Sequence, residues 1–296
     1  MTRITKEFNL NNANKYIRSF EKVITSKPTL KHNGEALVTG VDLGTANIVV
    51  SVVNEKKEAV AGELRAAQVV RDGLVVDFMG AIRIVKELKE NIESRLNTRL
   101  SKAAVGIPPG TSLADARGII NVVESADLDV IEVIDEPSAA ARVLKIDSGV
   151  VVDVGGGTTG ISVVEEGRVI YTADEATGGI HFTYVIAGNY NISIAEAEKI
   201  KKQEEQWDSV APILVPSIEK VASIVDNHLQ KMSREPEVIY LVGGSCCFPS
   251  FSQVIERCLG IKTVTPYNPL LITPLGIALS SIDHEVKEKV NHGYLY

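Results

Sequence analysis

One stretch of this chain occurs twice. GVDLGTANIVVSVV, from Gly40, lies over VVDVGGGTTGISVV, from Val151, without a gap. Val41 meets Val152, Asp42 meets Asp153, Gly44 meets Gly155 and Ser51 meets Ser162, and Val52 and Val53 meet Val163 and Val164. Each copy reads as an apolar strand, an aspartate, a glycine turn and a second strand. Two such hairpins, 111 residues apart in a chain of 296, confine the fold to two lobes of similar build. The length agrees, at roughly 150 residues per domain.

The rest of the pattern fills in those lobes. Strands are expected at about 36–41 and 48–53, a helix over Ala81–Leu100, and a buried strand over Ala103–Ile107 that stops at Pro108-Pro109. A helix over Leu113–Ala126 follows, and strand and helix signals alternate to Leu144, which predicts a layered α/β fold. Ahead of the first copy, Tyr16, Ile17, Phe20, Val23 and Ile24 recur at helical spacing, with Asn11 or Asn12 as N-cap. Pro28 and Gly34 punctuate a polar linker after it. That apolar stripe must be buried, either against its own lobe or in a partner's groove. The expected organisation is therefore an amphipathic helix and linker over 1–35, lobe I over 36–148 and lobe II over 149–272. A C-terminal helix over about 273–290 is expected to pack back on lobe I.

Composition narrows the function classes. A net charge of −7 and a pI near 5.4, with no long basic run, argue against nucleic acid and against anionic membrane. No apolar run reaches the roughly 18 residues of a membrane helix, and the first twenty residues carry no hydrophobic signal core. The 3 cysteines, Cys246, Cys247 and Cys258, are odd in number and two are adjacent, which suits a reducing cytosol rather than a disulfide framework. The 5 histidines are scattered away from cysteine, so zinc ligation is not expected. Ser245 has no His or Asp set to activate it as a nucleophile.

The repeated turns carry the chemistry. Successive backbone N–H groups in a glycine turn form an anion-binding nest, and the hydroxyls of Thr45, Thr158 and Thr159 add donors. Two such turns facing across a cleft would hold a polyphosphate from both sides. Asp42 and Asp153 end apolar strands, where an uncompensated carboxylate is costly. A hydrated Mg²⁺ between them and a phosphate would offset that cost. Val242-Gly243-Gly244-Ser245 ends a further strand and lets a flat ligand come close. Glu198 and Lys201 share a face of a helix over about 193–203; alone they read as a solvated ion pair worth under about 1 kcal/mol. Trp207 reads as part of a surface or subdomain contact rather than a ligand stack, and Cys246 and Cys247 as packing behind the glycine pair.

The order of the pieces resembles the actin and heat-shock chaperone ATPase superfamily. GVDLGTAN, DEPSAAA (Asp135–Ala141), VVDVGGGTTG, LVGGS and TPLGIAL (Thr273–Leu279) follow one another from about residue 38 to 282, as phosphate loop, connecting helix, second phosphate loop, adenosine loop and second connecting helix. Within it, RDGLVVDF (Arg71–Phe78), GIPPGT (Gly106–Thr111) and GGIHFTYVIAG (Gly178–Gly188) are similar to a family of ethanolamine-utilisation proteins. The resemblance implies two RNase-H-like lobes flanking a nucleotide cleft, with reduced outer subdomains. It implies ATP or ADP with Mg²⁺ as cofactors. Asp42, Glu136 and Asp153 would be catalytic, and Asp42 and Asp153 would hold Mg²⁺ through water. Gly44, Thr45 and Asn47 in the first loop, and Gly155, Gly156, Gly157, Thr158 and Thr159 in the second, would bind the phosphates. Glu198 and Lys201 would meet adenosine and ribose, and Gly243, Gly244 and Ser245 would line the adenine pocket. A protein client or a microcompartment component is the implied partner, in the cytoplasm or at a bacterial microcompartment.

Two departures bear on turnover. Ala46 stands where the chaperones have a second threonine, and Gly160 where they have an aspartate closing the second loop. The expectation is nucleotide binding with slow or no hydrolysis, because phosphoryl transfer depends on positioning and charge. The spacing from Asp42 to Glu136 leaves little room for an outer subdomain, and no peptide-binding domain is expected after Tyr296, so a client would be expected to dock on the ATPase core. A chaperone-like or assembly protein, a pseudo-ATPase scaffold and an actin-like filament protein are the competing functions.

Overall fold

The computed structural model of the chain describes residues 10–27, 34–71, 73–232 and 236–293. The first half runs α1 (Asn11–Thr25), β1 (Leu37–Leu43), β2 (Asn47–Asn54), β3 (Ala59–Ala66), a ribbon of β4 (Val70–Arg71) and β5 (Leu74–Val75), and α2 (Phe78–Leu96). It continues through β6 (Lys102–Ile107), α3 (Leu113–Glu124), β7 (Asp129–Asp135) and α4 (Glu136–Leu144). The second half runs β8 (Gly149–Val154), β9 (Thr159–Glu165), β10 (Arg168–Glu175), α5 (Gly179–Tyr190), α6 (Ile194–Lys202) and α7 (Trp207–Met232). Then come β11 (Val238–Val242), α8 (Phe251–Leu259), β12 (Lys262–Val264) and α9 (Ile272–Gly293).

The two sheets have one topology. The first is ordered β3-β2-β1-β6-β7 and the second β10-β9-β8-β11-β12. In each, three antiparallel strands are joined to two parallel ones through the strand that carries the repeated aspartate. Valine-rich runs suit these central strands, which are covered on both faces. The repeat of fourteen residues therefore extends to whole RNase-H-like lobes.

Each sheet has a core on its outer face, α2 and α3 covering the first and α5 to α8 the second. A third core lies between the sheets, where α4 and α9 pack with α1. α9 returns from the second sheet to lie on β1, β2, β6 and β7 and against α4. Gly276 makes that crossing close: a methyl there would run into the Ala139 carbonyl and stand 3.2 Å from the Ala139 Cα. The small residues of DEPSAAA and TPLGIAL thus meet where the two helices cross.

Local signals set several boundaries. The Asp77 carboxylate caps α2 by accepting from the Gly80 N–H at 2.8 Å, and Asn97, at φ 48°, ends it. The helix expected over 81–100 is thus shifted toward the N-terminus. Leu10, not Asn11 or Asn12, holds the N-cap position of α1, and no side chain caps it. The predicted stripe is buried within the molecule: Ile17 and Phe20 are fully covered, Val23 nearly so, and the helix lies on β3. The partner-groove alternative for this stripe is therefore not the one adopted. Pro28 falls outside the described residues.

Candidate functional site

Asp42 and Asp153 occupy equivalent positions at the ends of β1 and β8, each before its glycine turn. The second turn is closed by the Gly155 N–H donating to the Thr158 carbonyl at 3.0 Å. α5 docks on it, with the Gly179 N–H on the Gly155 carbonyl at 2.9 Å and the Ile180 N–H on the Gly156 carbonyl at 2.8 Å. The two turns face each other closely enough that a Cβ on Gly156 would stand 2.9 Å from the Ala46 Cβ. Between them lies a cavity of about 700 Å³, within the range of small-molecule sites.

The predicted residues converge on this cavity. Asp42, Gly44, Thr45 and Asn47 line it from the first hairpin, and Asp153, Gly155, Gly156, Gly157 and Thr158 from the second. Glu136, at the start of α4, joins them, as do Glu198, Lys201, Gly243, Gly244 and Ser245 from the far side. Thr159 does not line it: the side chain is fully buried and its hydroxyl donates to the Thr177 carbonyl at 2.6 Å. Because β-strand side chains alternate, the step from Thr158 to Thr159 turns the hydroxyl away from the cavity.

Three acids set the electrostatics. Burial, and then the neighbouring Asp153, push the Asp42 carboxyl up to about 7. Burial raises Asp153 to about 6, against the lowering effect of the Thr273 hydroxyl, which donates to its Oδ2 at 2.5 Å. Burial raises Glu136 well above the carboxylate range, with Asp42, Asp153, Asp174 and Asp135 adding to it. Three acids gathered at partly desolvated strand and helix ends call for a cation. Among the described residues no cluster of three or more His, Cys, Asp or Glu side chains forms a ready metal cage. Asp42 and Asp153, two carboxylates on one cavity wall, are a donor pair of the kind that suits a hydrated dication.

Across the cavity, Glu198 and Lys201 are not a solvated pair. Their ion pair measures 2.6 Å, with side chains only 20% and 13% exposed. Lys201 also donates to the Gly179 carbonyl at 3.0 Å and to Thr183 Oγ1 at 2.8 Å, while the Thr183 hydroxyl donates to Glu198 Oε2 at 2.6 Å. Burial lowers the Lys201 pKa; for Glu198, burial acts upward but the bonds from Lys201 and Thr183 hold it below the usual range. The Ser245 hydroxyl donates to the Gly155 carbonyl at 2.9 Å, which ties the segment after the glycine pair Gly243-Gly244 to the second glycine turn. Gly243, at φ 88°, adopts a backbone open mainly to glycine.

Other residues at the site had weaker sequence signals. Trp207 lines the cavity while its ring packs 5.3 Å from Phe248 and its Nε1 donates to the Lys201 carbonyl at 2.9 Å. It is both the expected subdomain contact and a wall. Cys246 is buried behind the loop as expected, whereas Cys247 is half-buried and faces the cavity. Thr273 stood in TPLGIAL without an assigned role, and Tyr267, Asn268 and Glu21 had no signal at all. All four reach the cavity wall.

Among the described residues no helix is long and apolar enough to cross a membrane. A model of the family described as type IV pilus assembly protein PilM matches residues 137–274. The chain is 44% identical over 244 residues to the ethanolamine utilization protein EutJ of Escherichia coli (strain K12), covering 81% of this chain and 84% of that protein. The crystal structure of EutJ from Carboxydothermus hydrogenoformans superposes with a TM-score of 0.84 at 43% identity, over 90% of this chain and 97% of that one. MreB 5 of Spiroplasma citri, bound to AMPPNP, superposes with a TM-score of 0.68 at 17% identity, over 87% and 98% of the two chains, a likeness of fold. With the two matched lobes and the cleft between them, these likenesses establish that the chain belongs to the EutJ family of ethanolamine utilisation proteins, within the actin-like ATPase superfamily.

Proposed function

We propose that the protein is a nucleotide-operated switch of ethanolamine utilisation, which binds ATP or ADP with Mg²⁺ between lobes 36–148 and 149–272 and turns ATP over slowly. The observation that carries this reading is the pair of facing glycine turns, each preceded by a partly desolvated aspartate, on the wall of one cavity. The turns' N–H groups and the hydroxyls of Thr45 and Thr158 would take the phosphates. Asp42 and Asp153 would hold Mg²⁺ through water, and the ion would neutralise phosphate charge. Gly243 and Gly244 would admit the base, and the Glu198–Lys201 pair would face the ribose.

Slow turnover follows from two features. Burial and the surrounding aspartates hold the Glu136 carboxyl well above its usual range, which disfavours the ionised form that would act as a base. Position 160 offers no carboxylate, and a Cβ there would already stand 3.2 Å from Pro137 Cδ and Cγ. This crowding favours a scaffold-like ATPase over a fast one. The output is a chaperone-like or assembly role toward a microcompartment component or ethanolamine ammonia-lyase, by analogy with the family, in the cytoplasm or at the compartment.

Thermal unfolding with and without ATP and Mg²⁺ tests the binding step. A ligand at 100 times its Kd stabilises the native state by about 2.7 kcal/mol, so a rise of several degrees in Tm is expected. No rise at millimolar ATP, in folded protein stripped of nucleotide, refutes it.

A further inference from the structure

α1 lies outside both repeated lobes yet touches the edge of the first sheet and the segment that follows the last strand of the second. On one side it packs along β3, the edge strand of the first sheet. Lys27, just past its end, pairs with Glu63 of β3 at 2.7 Å, and the Tyr16 hydroxyl donates to the Lys57 carbonyl in the β2–β3 turn. On the other side it grips the segment between β12 and α9. The Tyr267 N–H donates to Asn14 Oδ1 at 2.7 Å. The Tyr267 hydroxyl and the Asn268 amide donate to the two oxygens of Glu21 at 2.5 and 2.7 Å. The Arg18 guanidinium stands 3.8 Å over the Tyr267 ring.

That gripped segment is part of the site. Pro269 accepts from the Gly243 N–H at 3.0 Å, Thr273 donates to Asp153, and Glu21, Tyr267 and Asn268 share the cavity wall with Cys247. Any rotation of one lobe against the other about the close α4–α9 crossing changes the distance from β3 to residues 267–268. The α1 contacts resist such a change.

We propose that α1 is a strap across the two lobes, whose Glu21–Tyr267–Asn268 and Arg18–Tyr267 contacts set how readily the central cleft opens. Opening breaks these contacts on the second-sheet side, while the apolar stripe keeps α1 on β3. The strap makes closure the resting state and sets the rate at which a ligand in the cleft exchanges. The ligand statement rests on the nucleotide reading above; the strap does not.

Cys247 is a built-in reporter, half-buried in the cavity wall, and exposed Cys258 serves as the internal reference. In full-length nucleotide-free protein, the thiol labelling rate of each by a disulfide reagent is followed by mass spectrometry. The variant is the double substitution Glu21→Gln and Arg18→Ala, with Ser19→Ala on the exposed face of the same helix as control. The strap predicts that Cys247 labels about tenfold faster in the double variant, the equilibrium equivalent of one charge-assisted hydrogen bond, with Cys258 and the control unchanged. An unchanged Cys247 rate overturns the strap, as does a parallel rise at Cys258 or a large fall in Tm, which would mean general loosening. Should the double variant misfold, Tyr267→Phe removes only the hydroxyl bond to Glu21 and predicts a smaller rise in the same direction; no rise there also overturns it. Adding ATP and Mg²⁺ separates the two readings. Faster labelling of the variant without protection by ATP sinks the nucleotide reading alone, and protection with unchanged variant labelling sinks the strap alone.

Discussion

Gly276 is the point at which the α4–α9 crossing is tested most sharply. Replacing it with alanine would normally strengthen a helix, by about 1 kcal/mol. Here the added methyl would be driven into the Ala139 carbonyl, against backbone rather than a yielding side chain. Relief requires α4 and α9 to part by ~1 Å at their closest approach, which loosens the packed core between the sheets. Overpacking against backbone costs at least the upper end of the usual 1–3 kcal/mol. After the propensity gain, a net loss of about 2–3 kcal/mol remains, or about 3–5 °C in Tm for a chain of this size. Gly188→Ala in α5 is the matched control, because nothing lies within 4 Å of a Cβ there. It should gain up to about 1 kcal/mol. Thermal and urea unfolding of the two variants beside the parent decide the matter. If Gly276→Ala is as stable as the parent, or moves in the same direction as Gly188→Ala, the close-crossing argument is wrong.

Two further predictions follow from the site. Gly160→Asp should raise phosphate release if the rest of the site is intact, and should lower stability by about 1–2 kcal/mol because a Cβ there stands 3.2 Å from Pro137; unchanged release in folded protein contradicts the role given to the missing carboxylate. The raised acids make the empty protein lose stability as pH rises. Asp42 moves from 3.8 to about 7 and Asp153 from 3.8 to about 6, so their favourable contribution is whole below pH 3.8 and gone above about 7. The Asp42 share is at most about 4 kcal/mol, reduced by cavity water. Urea midpoints at pH 5 and pH 8 should therefore fall less in Asp42→Asn than in the parent, and equal falls would show that Asp42 titrates normally.

The residues of the repeat were legible because their signals are local. A run of valines, an aspartate and a glycine turn specify strand, charge and turn within fourteen positions, and two copies specify two lobes. The convergence of Asp42, Asp153 and the glycine turns on one cavity follows from that symmetry. What the sequence could not carry was the meeting of distant segments. Thr159 and Thr158 look alike in GGGTTG, and only the strand's alternation decides which hydroxyl faces the cavity. Glu198 and Lys201 have the spacing of a surface pair, and they become half-buried only because α5 brings Thr183 and the Gly179 carbonyl against them. Thr273 stands 120 residues from Asp153, and Tyr267 stands 253 from Asn14. Periodicity announces that the stripe on α1 must be covered, since exposed apolar surface is costly in water. Which surface covers it is a property of shape, set when two sheets and the crossing of α4 and α9 leave one open flank between β3 and the segment before α9.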